Sequence, residues 1–359
     1  KNSGIEMHRF AFPFNKTKTE SEKPEKGFKW LLITIKANLN WIFFQIFACF
    51  YGIKVGLEIK PDIIYAHSPR SGFPAYLVSK LLKCKFVMRL YGTEWLHWRW
   101  NDRWYRFRAL KDYWTLKLPA DFFIITNDGN NGHLVAKRFG IPDSKVGYWR
   151  NGVDKDFWDV DLSAKNQIRE LYKLTPSTKI IASTSRPIPE YCIEKLVKAL
   201  PNLLKNRSDV ACIIAGEGPE REKLESIVRD TGISSKVFFT GMVDRVMIKR
   251  ILNAADIFVL LSDYHNCTNT MWEAMVTGKC IVTTECEGIR DVITSGENGI
   301  LISKMDQFSI SEKLKQLVEN DNLRINLSKK ARVRAEQILE TWQKRAEKEA
   351  RLFESIVRK

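Results

Sequence analysis

Leu261-Ser262-Asp263-Tyr264-His265-Asn266-Cys267-Thr268-Asn269-Thr270-Met271-Trp272-Glu273-Ala274-Met275-Val276-Thr277-Gly278 carries the passage from strand to loop to helix on which the fold turns. It follows Ile257-Phe258-Val259-Leu260-Leu261, a short apolar run without alternation that ends in polar turn residues, as a buried strand does. Ser262 to Thr268 is then a loop at the strand's carboxyl end. Asn269 suits the N-cap of a short helix carrying Trp272, Glu273, Ala274 and Met275, and Gly278 suits its stop. Glu273 is thereby placed near a helix start beside a strand's carboxyl edge, where open α/β sheets take ligands.

Working outward, the same rhythm runs on both sides. Before the stretch, Lys179–Ser185 is a strand ending at Arg186, with a helix from Ile193. Val210–Ala215 is a buried strand ending in Gly216-Glu217-Gly218-Pro219, followed by a helix over Glu220–Arg229 with Pro219 at its first position. Val237–Gly241 is a strand and Met247–Ala255 a helix. After the stretch, Cys280–Thr284 is a strand. Gly216-x-Gly218 after a strand lacks the third glycine of the dinucleotide fingerprint, which argues against NAD.

The first half alternates likewise: strands at Ile5–Ala11, Pro61–Ser68, Lys85–Leu90, Phe122–Thr126 and Val146–Trp149, with helices over Gly72–Leu82, to about Leu118, and to Phe139. Strands and helices at this spacing make parallel sheets covered on both faces. A length of 359 residues suits two such domains, and Asn151-Gly152-Val153-Asp154 is the turn that closes the first. Phe28–Leu57 is rich in Trp, Phe, Ile and Leu. Its uncharged part, Ala37–Ile53, contains Asn38, Asn40 and Gln45 and falls short of the ~20 apolar residues that span a bilayer. A helix packed within a domain is favoured over one lying in a membrane interface.

Charge divides the halves. Residues 1–155 hold 26 Lys plus Arg against 13 Asp plus Glu, whereas residues 156–359 hold 32 against 29. The basic first half suits an anionic membrane surface or an acidic acceptor, with a plain solvated surface as the alternative. Within it, Trp95–Trp114 holds five of the eleven tryptophans among arginines, a pattern for headgroups or sugar faces, or for an amphipathic helix. No nucleic-acid motif accompanies the charge. Seven scattered cysteines without a Cys-x-x-Cys pair suit a reduced, cytoplasmic chain, and five histidines at no metal-ligand spacing imply no metal and no cofactor.

Taken together, Asn151-Gly152-Val153-Asp154, Arg186, Ala215-Gly216-Glu217-Gly218-Pro219, Phe239-Thr240-Gly241, Ala254-Ala255-Asp256, Glu273-Ala274-Met275 and Gly288-Ile289-Arg290-Asp291 resemble the retaining glycosyltransferases of family 4. That resemblance implies the GT-B fold: two Rossmann-like, doubly wound domains facing a central cleft. Residues 1–153 would form the acceptor-side domain, 154–338 the donor-binding domain, and 339–359 a terminal helix crossing back to the first, with an apolar stripe at Trp342, Ala346, Leu352 and Ile356. The family's first strand and Gly-rich loop have no counterpart before Lys1, so the chain is expected to lack an N-terminal segment.

The resemblance further implies a nucleotide-diphosphate sugar as donor and a glycan or lipid-linked acceptor at the cytoplasmic face of the membrane. Glu273 would accept both ribose hydroxyls, and Arg186 would grip a diphosphate oxygen as a permanently charged, bidentate donor. Tyr191, Gly216, Gly218, Asn266, Asn269, Thr270 and Asp291 would complete the donor side, Asp291 contacting either the sugar or a loop amide, and His67, Tyr91, Gly92 and Asn151 the acceptor side. Three positions depart from the family pattern. His265 stands where a first glutamate is usual, Tyr191 where a lysine is usual, and Tyr91 where a histidine is usual before Gly92-Thr93. His265 is expected to bond a donor-sugar hydroxyl, and Glu273, His265 and Arg186 are the expected catalytic set. A GT-B sugar-nucleotide epimerase and a non-catalytic partner subunit remain the alternatives.

Overall fold

The computed structural model describes residues 28–93, 110–205, 207–263, 267–286 and 288–358, with side-chain surroundings from residue 40 and, after the first gap, from residue 113. Strand Ile5–Ala11 and most of the Trp/Arg-rich segment lie outside the described residues. In chain order the early elements are α1 (Phe28–Ile59), β1 (Ile63–His67), α2 (Pro69–Leu82), β2 (Lys85–Leu90), α3 (Leu110–Leu116), β3 (Phe122–Thr126), α4 (Gly132–Arg138), β4 (Val146–Trp149), α5 (Lys155–Trp158) and α6 (Ala164–Leu171). The later ones are β5 (Lys179–Ser183), α7 (Ile193–Leu204), β6 (Val210–Ala215), α8 (Arg221–Asp230), β7 (Val237–Gly241), α9 (Arg245–Ala254), β8 (Ile257–Leu260), α10 (Asn269–Val276), β9 (Cys280–Thr284), β10 (Ile300–Ile302), α11 (Gln307–Glu319), α12 (Asp321–Ile338) and α13 (Trp342–Val357). The first four strands form a sheet in the order β1-β2-β3-β4, and the other six a sheet in the order β10-β9-β8-β5-β6-β7.

Internal contacts divide the chain into residues 1–90 with 108–123, and residues 91–107 with 124–359. In the first unit β1 and β2 run parallel, Ile63 opposite Lys85. Asp121 accepts the Phe86 amide at 2.8 Å, which ties the return of the chain to the start of β2. Helix α1 packs on α2 beside Gly52 and Gly56: a side-chain carbon on Gly56 would lie 2.1 Å from Leu82 Cδ1, the tip of a side chain that would have to turn aside. The opposite side of α1 stays uncovered, with Ile46 60%, Phe50 72% and Leu57 63% exposed. The helix packs on α2 as expected, but where the sequence reading has the apolar run falling short of a bilayer, Asn40–Ile59 is long and apolar enough to cross a membrane by length and composition, and little of it is buried. Lys54 and Glu58 interrupt the run without shortening the helix.

In the second unit every recorded pairing of the six-stranded sheet is parallel. β6 is buried along its whole length, which is why Val210-Ala-Cys-Ile-Ile-Ala215 shows no polar alternation. α7 covers one face with Ile193, Leu196, Val197, Leu200, Leu203 and Leu204, a helical-period stripe. Strand order reverses at β5, which pairs β6 on one side and β8 on the other. That reversal opens a crevice at the carboxyl ends of β5 and β8.

Several boundaries differ from the sequence expectation. α8 starts at Arg221, so Pro219 lies ahead of the helix rather than at its first position. α9 starts at Arg245, earlier than Met247, because Asp244 caps it by accepting the Met247 amide at 2.8 Å. In α13 Ala346 is exposed and Arg345 is buried, so the inward stripe is Arg345 with Ile356 rather than Ala346. Arg345 lies over the Trp149 ring at 4.4 Å and its Nε donates to the Arg150 carbonyl at 3.2 Å. Val153 and Thr341 form a parallel bridge beside it, and a side chain on Gly152 would meet Trp342 N at 2.6 Å. The seven cysteines, all among the described residues, form no disulfide.

Candidate donor-binding site

The strand reversal brings two loops together. From β5 comes Ser185-Arg186-Pro187, with Arg186 exposed. The Gly216–Gly218 loop after β6 lies directly on this segment. A side-chain carbon on Gly216 would come within 2.5 Å of the Ser185 carbonyl oxygen, and one on Gly218 within 2.4 Å of the Pro187 carbonyl oxygen. The two glycines therefore hold the loop that presents Arg186, a packing role that motif spacing did not reveal. Tyr191 is half-buried with its ring against the apolar clusters on both faces of the sheet.

From β8 comes the loop leading to α10. Ser262 is buried and its amide donates to Thr284 Oγ1 at 2.9 Å, fixing the start of the loop. His265 and Asn266 lie outside the described residues. α10 is capped one residue earlier than expected, by Thr268 in an extended conformation. Asn269 is already helical, and its Oδ1 accepts from Asn151 Nδ2 at 3.0 Å. Thr270 shares a 3.0 Å hydroxyl contact with Thr268. Met271 to Val276 are all buried, and Glu273 among them is only 4% exposed.

A buried carboxylate needs a partner, and Glu273 has one. Arg245 Nη1 donates to Glu273 Oε1 at 2.8 Å, while Arg245 Nη2 reaches Asp154. The guanidinium lies 4.8 Å from the centre of the Phe157 ring. Burial pushes the Glu273 pKa above the ordinary carboxylate value, the Arg245 charge and hydrogen bond oppose that rise, and Asp154 adds to it. Arg245 was missed by sequence reasoning, since nothing local marks a residue 28 positions away as the partner. The available signal was general: an acid on a helix of buried residues implies a cation nearby.

A third group of loops belongs to the same unit. A side chain on Gly92 would lie 2.4 Å from Asp128 Oδ2, and Asp128 accepts from the Asn130 amide and its Nδ2 at 3.2 and 3.0 Å. Gly288 has φ +81°, and a side-chain carbon there would sit 2.1 Å from the Gly129 carbonyl oxygen. The turn before Ile289-Arg290-Asp291 thus abuts the loop after β3. Asp291 is exposed and its carbonyl accepts from Arg334 Nη2 at 2.6 Å. Tyr91 is 53% exposed. His67, in the other unit, is exposed at the end of β1 with its ring 4.3 Å from that of Tyr65. Gly92, Asn151, Arg186, Gly216, Gly218, Asn269, Thr270, Glu273 and Asp291 all lie in the second unit, where Asn151 bonds Asn269 and the Gly216–Gly218 loop lies against Ser185-Arg186-Pro187.

Known protein families match most of the length of this chain. The family model for glycosyl transferases group 1 matches residues 164–334, and that for glycosyltransferase family 4 matches residues 3–157. An uncharacterised glycosyltransferase of Methanocaldococcus jannaschii is 26% identical over 256 residues, covering 70% of this chain and 65% of the relative. The α-D-kanosaminyltransferase of Streptomyces kanamyceticus is 22% identical over 276 residues, covering 75% and 71%. Among solved structures, Anabaena HepE in complex with UDP superposes with a TM-score of 0.71 at 18% identity, covering 84% of this chain and 81% of that one, a likeness of fold.

Proposed function

We propose that this chain, which belongs to the group 1, family 4 glycosyltransferases of the GT-B fold, transfers a sugar from a nucleotide-diphosphate donor onto a glycan or lipid-linked acceptor. The observation that carries the reading is the buried Glu273 in the second turn of α10, the helix that follows β8 where that strand pairs β5. A vicinal ribose diol offers two donors, and a carboxylate is an acceptor with room for both. Arg186 at the neighbouring strand end meets the diphosphate, whose charge grows as the sugar–oxygen bond breaks. The amides at the start of α10 share that charge, so no metal enters the scheme. The acceptor oxygen replaces the departing diphosphate with retention at the sugar carbon, as the family resemblance implies. Tyr91, Gly92 and Asn151 face the acceptor in this reading.

Binding of UDP-, ADP- and GDP-glucose by calorimetry, with and without Glu273→Ala, tests the assignment. Loss of binding in the variant is expected; unchanged binding by the variant would overturn it. Incubation with donor alone separates transfer from epimerisation, since only an epimerase would change the sugar without an acceptor.

The partner at the surface is proposed to be an anionic membrane. Helix α1 exposes Ile42, Phe43, Ile46, Phe47 and Phe50 on one side, and residues 1–155 supply the excess of basic charge. Apolar side chains and basic residues together favour an anionic lipid surface over water. Flotation with liposomes tests this: binding that is equal with and without anionic lipid removes the charge argument, and no binding to either removes the proposal.

A further inference from the structure

We infer that Arg245 positions Glu273 for the ribose diol and holds it as an anion, with Asp154 steadying Arg245 in turn. This rests on the donor-binding role proposed for Glu273. The geometry is a three-point clamp: Nη1 on Glu273, Nη2 on Asp154, and the guanidinium face on Phe157. Arg245 is set at the first position of α9 by the Asp244 cap, so its backbone is fixed by the helix start and only its side chain must be oriented. Asp154 ends the Asn151–Asp154 turn, and Asn151 of that turn bonds Asn269 at the start of the helix that carries Glu273. The clamp and the Asn151 bond thus fasten the turn to α10 at two places.

The chemistry needs such a clamp. A carboxylic acid deprived of water favours its neutral form, and a neutral Glu273 would present an O–H to a diol that is itself a donor. Arg245 uses one lone pair of Oε1, and a carboxylate has about four lone-pair sites. The ribose and Arg245 can therefore share Glu273, so donor binding does not require the ion pair to break. Among the described residues the charged groups facing Glu273 are Arg245 and Asp154, and they act with opposite sign: the cation lowers the Glu273 pKa and the anion raises it. Arg245 has a side chain 56% exposed, so replacing it opens no apolar cavity.

The test is a carbon-13 carboxyl NMR titration of the glutamate-labelled full chain, with the Glu273 signal assigned by its loss in Glu273→Gln. It is paired with calorimetry of UDP-, ADP- and GDP-glucose across pH. In Arg245→Gln the Glu273 midpoint is expected to rise by about one pH unit or more. Donor affinity in that variant should fall about tenfold per pH unit below the new midpoint. Asp154→Asn, which keeps an oxygen to accept from Arg245 Nη2 but removes the negative charge, should move the midpoint down, the opposite direction, which general loosening by either substitution would not produce. Arg245→Lys, keeping the charge without the fork, should fall between wild type and Arg245→Gln. An unchanged midpoint in Arg245→Gln, or the same direction of shift in both variants, overturns the inference. If Glu273→Ala leaves donor binding intact while the midpoints shift as expected, the donor role fails and the electrostatic clamp stands.

Discussion

Helices α1 and α10 are both rich in large apolar residues, yet the structure uses them in opposite ways. α10 buries Met271 to Val276 around a single acid, whereas α1 leaves Phe50 72% and Ile46 60% exposed along one side. α10 follows a strand in the middle of a six-stranded sheet, with α12 and β9 packed against it. α1 has α2 as its main neighbour among the described elements. Apolar content supplies a tendency to leave water, and the number of covering layers decides whether the protein interior or another phase receives it.

The largest expected effect tests the buried side of this comparison. Two ribose hydroxyls on a carboxylate are worth about 3 kcal/mol together, so Glu273→Ala should weaken donor binding by roughly a hundredfold or more. A change of only a few-fold by calorimetry would mean that α10 is packed for stability alone. The second test concerns the exposed side. Burying a phenylalanine ring is worth about 2 kcal/mol, so Phe50→Glu should reduce partition onto anionic liposomes by roughly thirtyfold while leaving thermal unfolding nearly unchanged. A large fall in Tm instead would show that this face is covered within the folded chain.

The acid dependence of donor binding sharpens the comparison further. Burial raises the Glu273 pKa, and the diol needs the anion. Affinity should therefore be full above that raised value and decline as pH falls through it, at a pH higher than an exposed glutamate would give. Calorimetry in steps of pH reads the midpoint. The smallest effect compares two helix starts. Asp244 caps α9 with a 2.8 Å side-chain bond, whereas Thr268 caps α10 without one. Asp244→Ala should cost about 1 kcal/mol by denaturant titration and Thr268→Ala only a few tenths.

Much of this architecture was legible beforehand. Strands β6 and β8 are short, fully apolar runs, and β5 and β9 carry apolar runs that end in Ser or Thr, as strands buried on both faces do. Glu273 was legible because a helix start after such a strand has one geometric relation to the sheet edge. Arg245 was not, because it approaches from another helix, and Asp154 from a turn 91 residues earlier in the chain. The roles of Gly216 and Gly218 were legible as a motif but not as packing, since the Ser185 and Pro187 carbonyls that exclude a side chain come from a different loop. The inward face of α13 was misjudged for a related reason. Buried Arg345 pairs with Glu349 one turn along its own helix, but the Trp149 ring and the Arg150 carbonyl that also hold it come from a distant strand end.

By itself the sequence determined the alternation of strand and helix, the loops that carry the polar residues, and the presence of an acid and an arginine at neighbouring strand ends. Those follow from local period, capping and turn chemistry, which act over a few residues. Tertiary structure alone decided which cation would hold Glu273, which glycines had to stay bare, and which apolar helix would be left uncovered. Each of these depends on free energies that arise only when distant segments exclude water from one another, and no window of sequence contains both partners.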